Sequence, residues 1–205
     1  MLTLILGGAR SGKSDLALRM AAVSGRDVLF VATMQAGDDE LRARIATHRS
    51  ERPAHWRTIE EPLDVTDAVR SEARTGDFVV LDCVTLWVSN VLLTHVRDVD
   101  EIAPEPASVA ARDVGGRIDA FVEWACGFDG DVAVVSNEVG LGVVPAYPLG
   151  RLFRDALGAA NAALARRADR VYQVNAGLVL DLKALGAQPL DAFGESPMRG
   201  DESAR

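Results

Sequence analysis

Eight residues near the start of the chain, Gly7-Gly8-Ala9-Arg10-Ser11-Gly12-Lys13-Ser14, fit the spacing G-x-x-x-x-G-K-[ST]. Each residue type has a task in holding phosphate. Glycines let backbone N–H groups turn inward around phosphate oxygens, and the N-terminus of a following helix adds its positive dipole end. Lys13 is then placed to reach the β and γ phosphates, and the Ser14 hydroxyl is a ligand suited to Mg²⁺. The chain carries 20 Arg but only two Lys, Lys13 and Lys183, so the pattern arises by chance in about one in a thousand chains of this composition. The plain alternative, a glycine turn joining strand to helix, gives the lysine no task.

Two further positions carry chemistry. Asp82 follows the apolar run Phe78 to Leu81 and is placed like the acidic residue that holds Mg²⁺, directly or through water, in P-loop proteins. Its alternative role is a helix cap for the apolar stretch around Leu86 and Val88. The segment Arg44 to Glu61 reads RIATHRSERPAHWRTIEE. Leu41, Ile45 and His48 recur at i, i+4 and i+7, which sets His48 on the inward face of a short helix beside Arg49 and Arg52. Guanidinium groups beside an imidazole suit a second set of phosphates next to a nucleophilic or acid/base His, whereas the bland reading is a core His with two solvated arginines. His55 follows Pro53 in a loop beside Trp56 and ranks behind His48. Glu138 is either a base, a metal partner or a solvated loop carboxylate.

The elements that must position these residues are legible as an alternation. Apolar runs at Leu2–Leu6, Val28–Ala32, Phe78–Leu81 and Val132–Val135 read as buried strands, and Val171–Val174 is a fifth strand candidate. Between them come helical patterns: one from Gly12 with Leu16, Met20 and Val23 inward and Gly25 as its stop, one from Pro62 to about Arg74, one with Ile118, Phe121, Val122 and Ala125 as its stripe, and one spanning Leu149 to Leu164. Arg97 to Pro106 reads as a surface loop. The expected fold is therefore α/β, a RecA-like P-loop NTPase domain over residues 1–185, with a mainly parallel sheet and helices on both faces. Ligands in such folds bind at the carboxyl ends of the strands, where Gly7 to Ser14, Thr33, Asp82, Asn137 and Glu138 collect. Residues 186–205 read as a flexible tail.

Composition excludes several classes. With 205 residues, 48% apolar and 25% charged, the chain is globular rather than disordered. No apolar run approaches the roughly 20 residues of a membrane span, and no secretory leader is recognisable, so the expected location is cytoplasmic. A net charge of −8 argues against a nucleic-acid partner. Cys83 and Cys126 form no metal or disulfide pattern and read as small core residues.

Beyond the P-loop, the chain resembles the bifunctional adenosylcobinamide kinase and adenosylcobinamide-phosphate guanylyltransferase family of cobalamin biosynthesis. The resemblance is carried by GGARSGKS, VAT at Val31 to Thr33, RIATHR, RPAHWRTIEEPL, LDCVTLWVSNVL from Leu81, SNEVGLGVVP from Ser136 and RLFRDALGAANAALARRADRVYQVNAG from Arg151. It implies phosphorylation of adenosylcobinamide by ATP or GTP, then transfer of GMP from GTP to that phosphate with release of pyrophosphate. It implies His48 as the residue that carries GMP. The implied nucleotide contacts are Gly7, Gly8, Ala9, Arg10, Ser11, Gly12, Lys13, Ser14, Val31, Ala32, Thr33, Arg49, Ser50, Glu51, Arg52, Glu60 and Asp82, with Ser14 and Asp82 toward Mg²⁺. It also implies a homo-oligomer, a trimer, with the corrinoid near a subunit interface. This chain departs from some relatives in having Thr47 where a second His precedes the nucleophile, and Asp82 where a Glu stands. The rival readings are a P-loop switch that signals nucleotide state to a protein partner, a kinase without the guanylyl step and a DNA motor. The Arg-flanked His48 speaks against the first and the acidic balance against the last.

Overall fold

The computed structural model describes residues 1–34, 53–96 and 102–194. The expected helix bearing Leu41, Ile45 and His48 lies outside the described residues, as do Arg49, Ser50, Glu51 and Arg52.

Among the described residues seven strands form one sheet. These are β1 (Leu2–Gly7), β2 (Val28–Ala32), β3 (Arg57–Glu60), β4 (Phe78–Asp82), β5 (Asp131–Asn137), β6 (Arg170–Asn175) and β7 (Leu178–Asp181), in the order β3-β2-β4-β5-β1-β6-β7. Every pairing is parallel except β6 with β7. β1, β2, β4 and β5 are apolar at almost every position because both of their faces are covered. Leu4, Leu29, Val31, Val79, Leu81, Val132 and Val134 face α2 (Val65–Glu72), α3 (Val84–His95), α4 (Pro104–Gly127) and α5 (Pro148–Arg167). Ile5, Phe30, Val80, Ala133 and Val135 face the opposite way, toward α1 (Lys13–Val23) and Trp56. Helices thus cover both faces of a mostly parallel sheet, as the alternation implies.

The differences from the sequence reading have physical causes. In α1 the buried face is Ala17 and Ala21, with Val23 exposed; small side chains let this helix lie close to the sheet, and Leu16 and Met20 pack only at its margin. β3 has one strongly apolar residue, Ile59, and is an edge strand. It is anchored through Arg57, which pairs with the buried carboxylate of Asp77 and donates to the Glu72 carbonyl at 2.6 Å. β7 escapes an apolar-run search because it is an exposed hairpin arm, turned at Ala176 and Gly177 with φ of 51° and 79°. α2 starts three residues after Pro62, with Glu61 accepting the N–H groups of Leu63 and Asp64, both at 2.8 Å. α4 begins inside the expected surface loop, since both of its prolines fall in a first turn that has no N–H partners to lose. Cys126 is exposed rather than core. Within the expected tail, Leu190–Phe193 forms an exposed 3₁₀ turn whose Asp191 meets Arg166 at 3.1 Å.

Where α3 crosses α4, Trp87 stands edge-on to Phe121, with ring centroids 5.8 Å apart. Phe121 is fully buried, so Phe121→Ala should cost about 3–5 kcal/mol, read as a lower midpoint in urea unfolding. A loss below 1 kcal/mol would show that this crossing is not part of the core.

Candidate nucleotide site

The loop from Gly7 to Ser14 is fixed by sterics before any ligand is considered. β1 lies between β5 and β6, and at its end a Cβ on Gly7 would fall 2.1 Å from the Val174 carbonyl oxygen. Only glycine fits there. Gly12 adopts φ 102° at the start of α1, and Arg10 stands at φ 54°, so the backbone coils between strand and helix in left-handed steps. The Gly177 N–H donates to the Ser11 carbonyl at 3.0 Å and the Glu138 N–H to the Gly7 carbonyl at 3.1 Å, tying the loop to both neighbouring strands. Inside it the buried Ser11 hydroxyl has no hydrogen-bond partner. A donor left unsatisfied in a coil of this kind fits a phosphate oxygen.

Lys13 is buried and donates from Nζ to the Gly8 carbonyl at 2.6 Å, so its ammonium sits across the mouth of the loop. Burial lowers its pKa below the ordinary 10.5, an effect opposed by Cys83 and Asp82. The Cys83 thiol is itself pushed up to about 11 by burial, with Asp82 adding to the rise, so it is protonated at neutral pH. A neutral, partly buried thiol is a poor nucleophile.

Strand register brings the second group of residues level with the first. Ala32 pairs with both Glu60 and Asp82, Asp82 with Val135, and Gly7 with Asn137. The carboxyl ends of β3, β2, β4, β5 and β1 therefore form one ledge. Ser14 lies in the first turn of α1 beside Lys13, while Val31 and Ala32 have their side chains buried on the two faces of β2. The fully buried Thr33 hydroxyl donates to the Cys83 carbonyl at 2.7 Å and accepts the Cys83 N–H at 2.9 Å, so it locks β2 to β4. Glu60 is exposed at the end of β3. Glu138 turns back on its own loop, where its carboxylate accepts the Gly140 N–H at 2.6 Å. His55 is exposed in a turn whose next residue, Trp56, is buried.

Sequence reasoning placed Asn137 at a strand end but missed the hydrogen-bonded network that braces this ledge around it. The Ser136 hydroxyl donates to Asn161 Oδ1 at 2.6 Å, Asn161 Nδ2 donates to the Asn137 carbonyl at 3.0 Å, and the Asn137 N–H donates to Thr85 Oγ1 at 2.8 Å. The available signal was Asn161 itself, a polar residue in the buried stripe Leu157, Ala160 and Leu164 of α5. No three His, Cys, Asp or Glu side chains among the described residues are grouped to hold a metal by themselves. No helix among them is long and apolar enough to cross a membrane.

A glycine coil closing a central strand onto a helix, a buried lysine across it and a carboxylate at the end of a strand one place removed define a P-loop nucleotide-binding protein of RecA-like arrangement. Within that class the chain belongs to the cobinamide kinase/cobinamide phosphate guanyltransferase family, whose model matches residues 3–182. It is 46% identical over 183 residues to the bifunctional adenosylcobalamin biosynthesis protein CobP of Pseudomonas aeruginosa, covering 89% of this chain and 98% of that one. It is 37% identical over 185 residues to the bifunctional adenosylcobalamin biosynthesis protein CobU of Escherichia coli, covering 89% and 100%. In fold it is similar to a solved protein of Pyrococcus horikoshii, with a TM-score of 0.52 at 8% identity and 92% of each chain covered.

The lowered pKa of Lys13 gives the site a pH signature. Bound phosphates favour the ammonium form, so affinity is complete below the free-protein pKa of Lys13 and falls as pH rises through it. Because that value lies below 10.5, nucleotide affinity should begin to fall at a lower pH than an exposed lysine would dictate. Equilibrium titrations from about pH 7 to 11 read this, and Lys13→Ala should bind about 10–100-fold more weakly with that decline gone. Wild-type affinity that stays constant until above 10.5 would contradict the burial of this ammonium.

Proposed function

We propose that the chain phosphorylates adenosylcobinamide with ATP or GTP and then transfers GMP from GTP to the product, giving adenosylcobinamide-GDP and pyrophosphate. The observation that carries this reading is the Lys13 coil facing Asp82, in a chain that a bifunctional family matches from residue 3 to residue 182. In the first reaction the corrinoid's aminopropanol hydroxyl attacks the γ-phosphorus, the bond to the β-phosphate oxygen breaks, and the nucleoside diphosphate leaves. Inward N–H groups and Lys13 hold the phosphate oxygens as their charge redistributes. Ser14 and Asp82 offer hard oxygen ligands beside Lys13, a donor set that fits Mg²⁺. When bound there, Mg²⁺ supplies neutralisation of charge on the phosphate oxygens.

In the second reaction an imidazole nitrogen of His48 attacks the α-phosphorus of GTP, a P–N bond forms, and the bond to pyrophosphate breaks. The phosphate of the corrinoid then attacks the same phosphorus and the P–N bond breaks, which frees His48. Arg49 and Arg52 balance charge on the phosphates, and Ser50, Glu51, Thr33 and Glu60 complete the nucleotide's surroundings. Splitting the transfer in two lets GTP be attacked before any corrinoid binds. The catalytic domain spans residues 1–185, acts in the cytoplasm and assembles as a homo-trimer with the corrinoid near a subunit interface. The exposed apolar run Leu141, Val143, Val144 and Tyr147 supports such an assembly as a surface for a second copy to cover.

The test is incubation with Mg²⁺ and GTP labelled at the α-phosphate, without corrinoid, followed by denaturing electrophoresis. Label should remain on the protein, be labile in acid and stable in alkali, disappear in His48→Ala, and be matched by about one pyrophosphate per chain. Tight GTP binding without label would leave a kinase with no guanylyl step.

A further inference from the structure

β5 runs between the strand that ends in Asp82 and the strand that ends in the anion coil, and its last residue is Asn137. Asn137 pairs with Gly7, about 4.8 Å away across the ladder. Val135 pairs with Asp82, so Asn137 stands roughly 6.6 Å further toward the carboxyl edge. Side chains alternate along a strand, which settles where its carboxamide points. Val132 and Val134 face α2 to α5, and Ser136 on the same side bonds Asn161 of α5 at 2.6 Å. Ala133 and Val135 face α1, and Asn137 follows them. On β4, Val79 and Leu81 take the first face and Phe78 and Val80 the second, so Asp82 also lies on the side of α1. Lys13 opens α1 on that side, close enough to Asp82 for the two charges to interact.

The ordinary work of an Asn at a strand end is done here by other groups. The Asn137 N–H donates to Thr85 Oγ1 at 2.8 Å, and its carbonyl accepts Asn161 Nδ2 at 3.0 Å. The bend that follows is held by Glu138, whose carboxylate accepts the Gly140 N–H. The Asn137 carboxamide takes no part in these bonds and has no hydrogen-bond partner among the described residues. A backbone braced on both sides thus presents an uncommitted amide between the coil and Asp82.

We propose that Asn137 is a catalytic residue for phosphoryl transfer, donating from Nδ2 to a γ-phosphate oxygen. Lys13 and the inward N–H groups hold the phosphates from the side of the coil, and Asn137 meets the γ-phosphate from the side of β5. An amide suits this place because it offers two donors without a charge that would draw Asp82 away from its own partners. The inference rests on the phosphoryl-transfer reading given above and is independent of His48.

Titrations of the full chain with Mg²⁺ and either ADP or the non-hydrolysable β,γ-imido analogue of ATP separate the γ-phosphate from the rest of the nucleotide. Asn137→Ala should bind the analogue about tenfold more weakly, the loss expected for one hydrogen bond to a charged oxygen, with ADP affinity unchanged. Asn137→Asp turns a carboxylate toward the γ-phosphate and should lose more, while Asn137→Gln should recover part of the loss. In corrinoid phosphorylation kcat should fall about a hundredfold in Asn137→Ala, as for removal of one oxyanion donor, with KM for the corrinoid little changed. Because both bonds that brace this strand end come from its main chain, the urea midpoint of Asn137→Ala should match wild type. Equal weakening of ADP and the analogue, or unchanged affinity for both with kcat intact, overturns the proposal. If wild-type protein binds the analogue but phosphorylates no corrinoid, the phosphoryl-transfer reading fails, and the ratio of the two affinities alone decides whether Asn137 meets the γ-phosphate. If Asn137→Ala does not fold, the near-isosteric Asn137→Asp and Asn137→Gln carry the comparison.

Discussion

The approach of Gly7 to the carbonyl of Val174 constrains the rest of the site. A central strand buried on both faces must leave the sheet between two neighbours, and here a single added carbon would lie 2.1 Å from a backbone oxygen. The chain escapes by coiling through Arg10 and Gly12 in left-handed conformations, which turns backbone donors inward and leaves the Ser11 hydroxyl buried without a partner. The same coil brings Lys13 under cover at the start of α1. A cation desolvated in this way gains most from an anion that replaces the missing water. Phosphate affinity follows from how β1 ends.

The opposite side of the ledge is built by a different device. β2 and β4 are locked through the two bonds between Thr33 and Cys83, and α3 extends that lock to the segment after β3 through Asn90 and Trp87. The site therefore has one wall set by backbone sterics and another by side-chain hydrogen bonds. Such a division suits a protein that carries out two displacements at phosphorus. In the proposed mechanism the γ-phosphate lies at the rigid anion coil, and the α-phosphate meets a nucleophile from another stretch of chain. Asp82, at the end of β4, is level with both walls in the strand register.

The buried strands were legible in sequence because a parallel sheet covered on both faces must be nearly continuously apolar, and β1, β2, β4 and β5 announce themselves this way, while β6, RVYQVN, shows it only through Val171, Tyr172 and Val174. The strands that were missed, β3 and β7, sit at the two edges of the sheet, where one side lacks a partner strand and apolar content is not demanded. The buried stripe of α1 was misread because Ala17 and Ala21 carry almost no hydropathy signal, though their small size is what lets the helix approach. At the site, Gly7 to Ser14 and Asp82 were legible since phosphate chemistry restricts residue type at fixed spacing. Asn90 and Asn161 were not, because their partners are backbone carbonyls and a buried hydroxyl that only the fold brings near. The family resemblance drew attention to the segment containing Asn90 without assigning that residue a role.

The proposed function takes the triphosphate of either nucleotide into the one anion coil, and so requires a single nucleotide site per chain. Equilibrium titration of wild-type protein and Lys13→Ala with ATP and GTP, separately and in competition, measures this most directly. The account predicts one nucleotide bound per chain, mutual exclusion of ATP and GTP, and weakening of both together when Lys13 is lost. Binding of both nucleotides to one chain at once, or loss of ATP binding with GTP binding intact in Lys13→Ala, would contradict it.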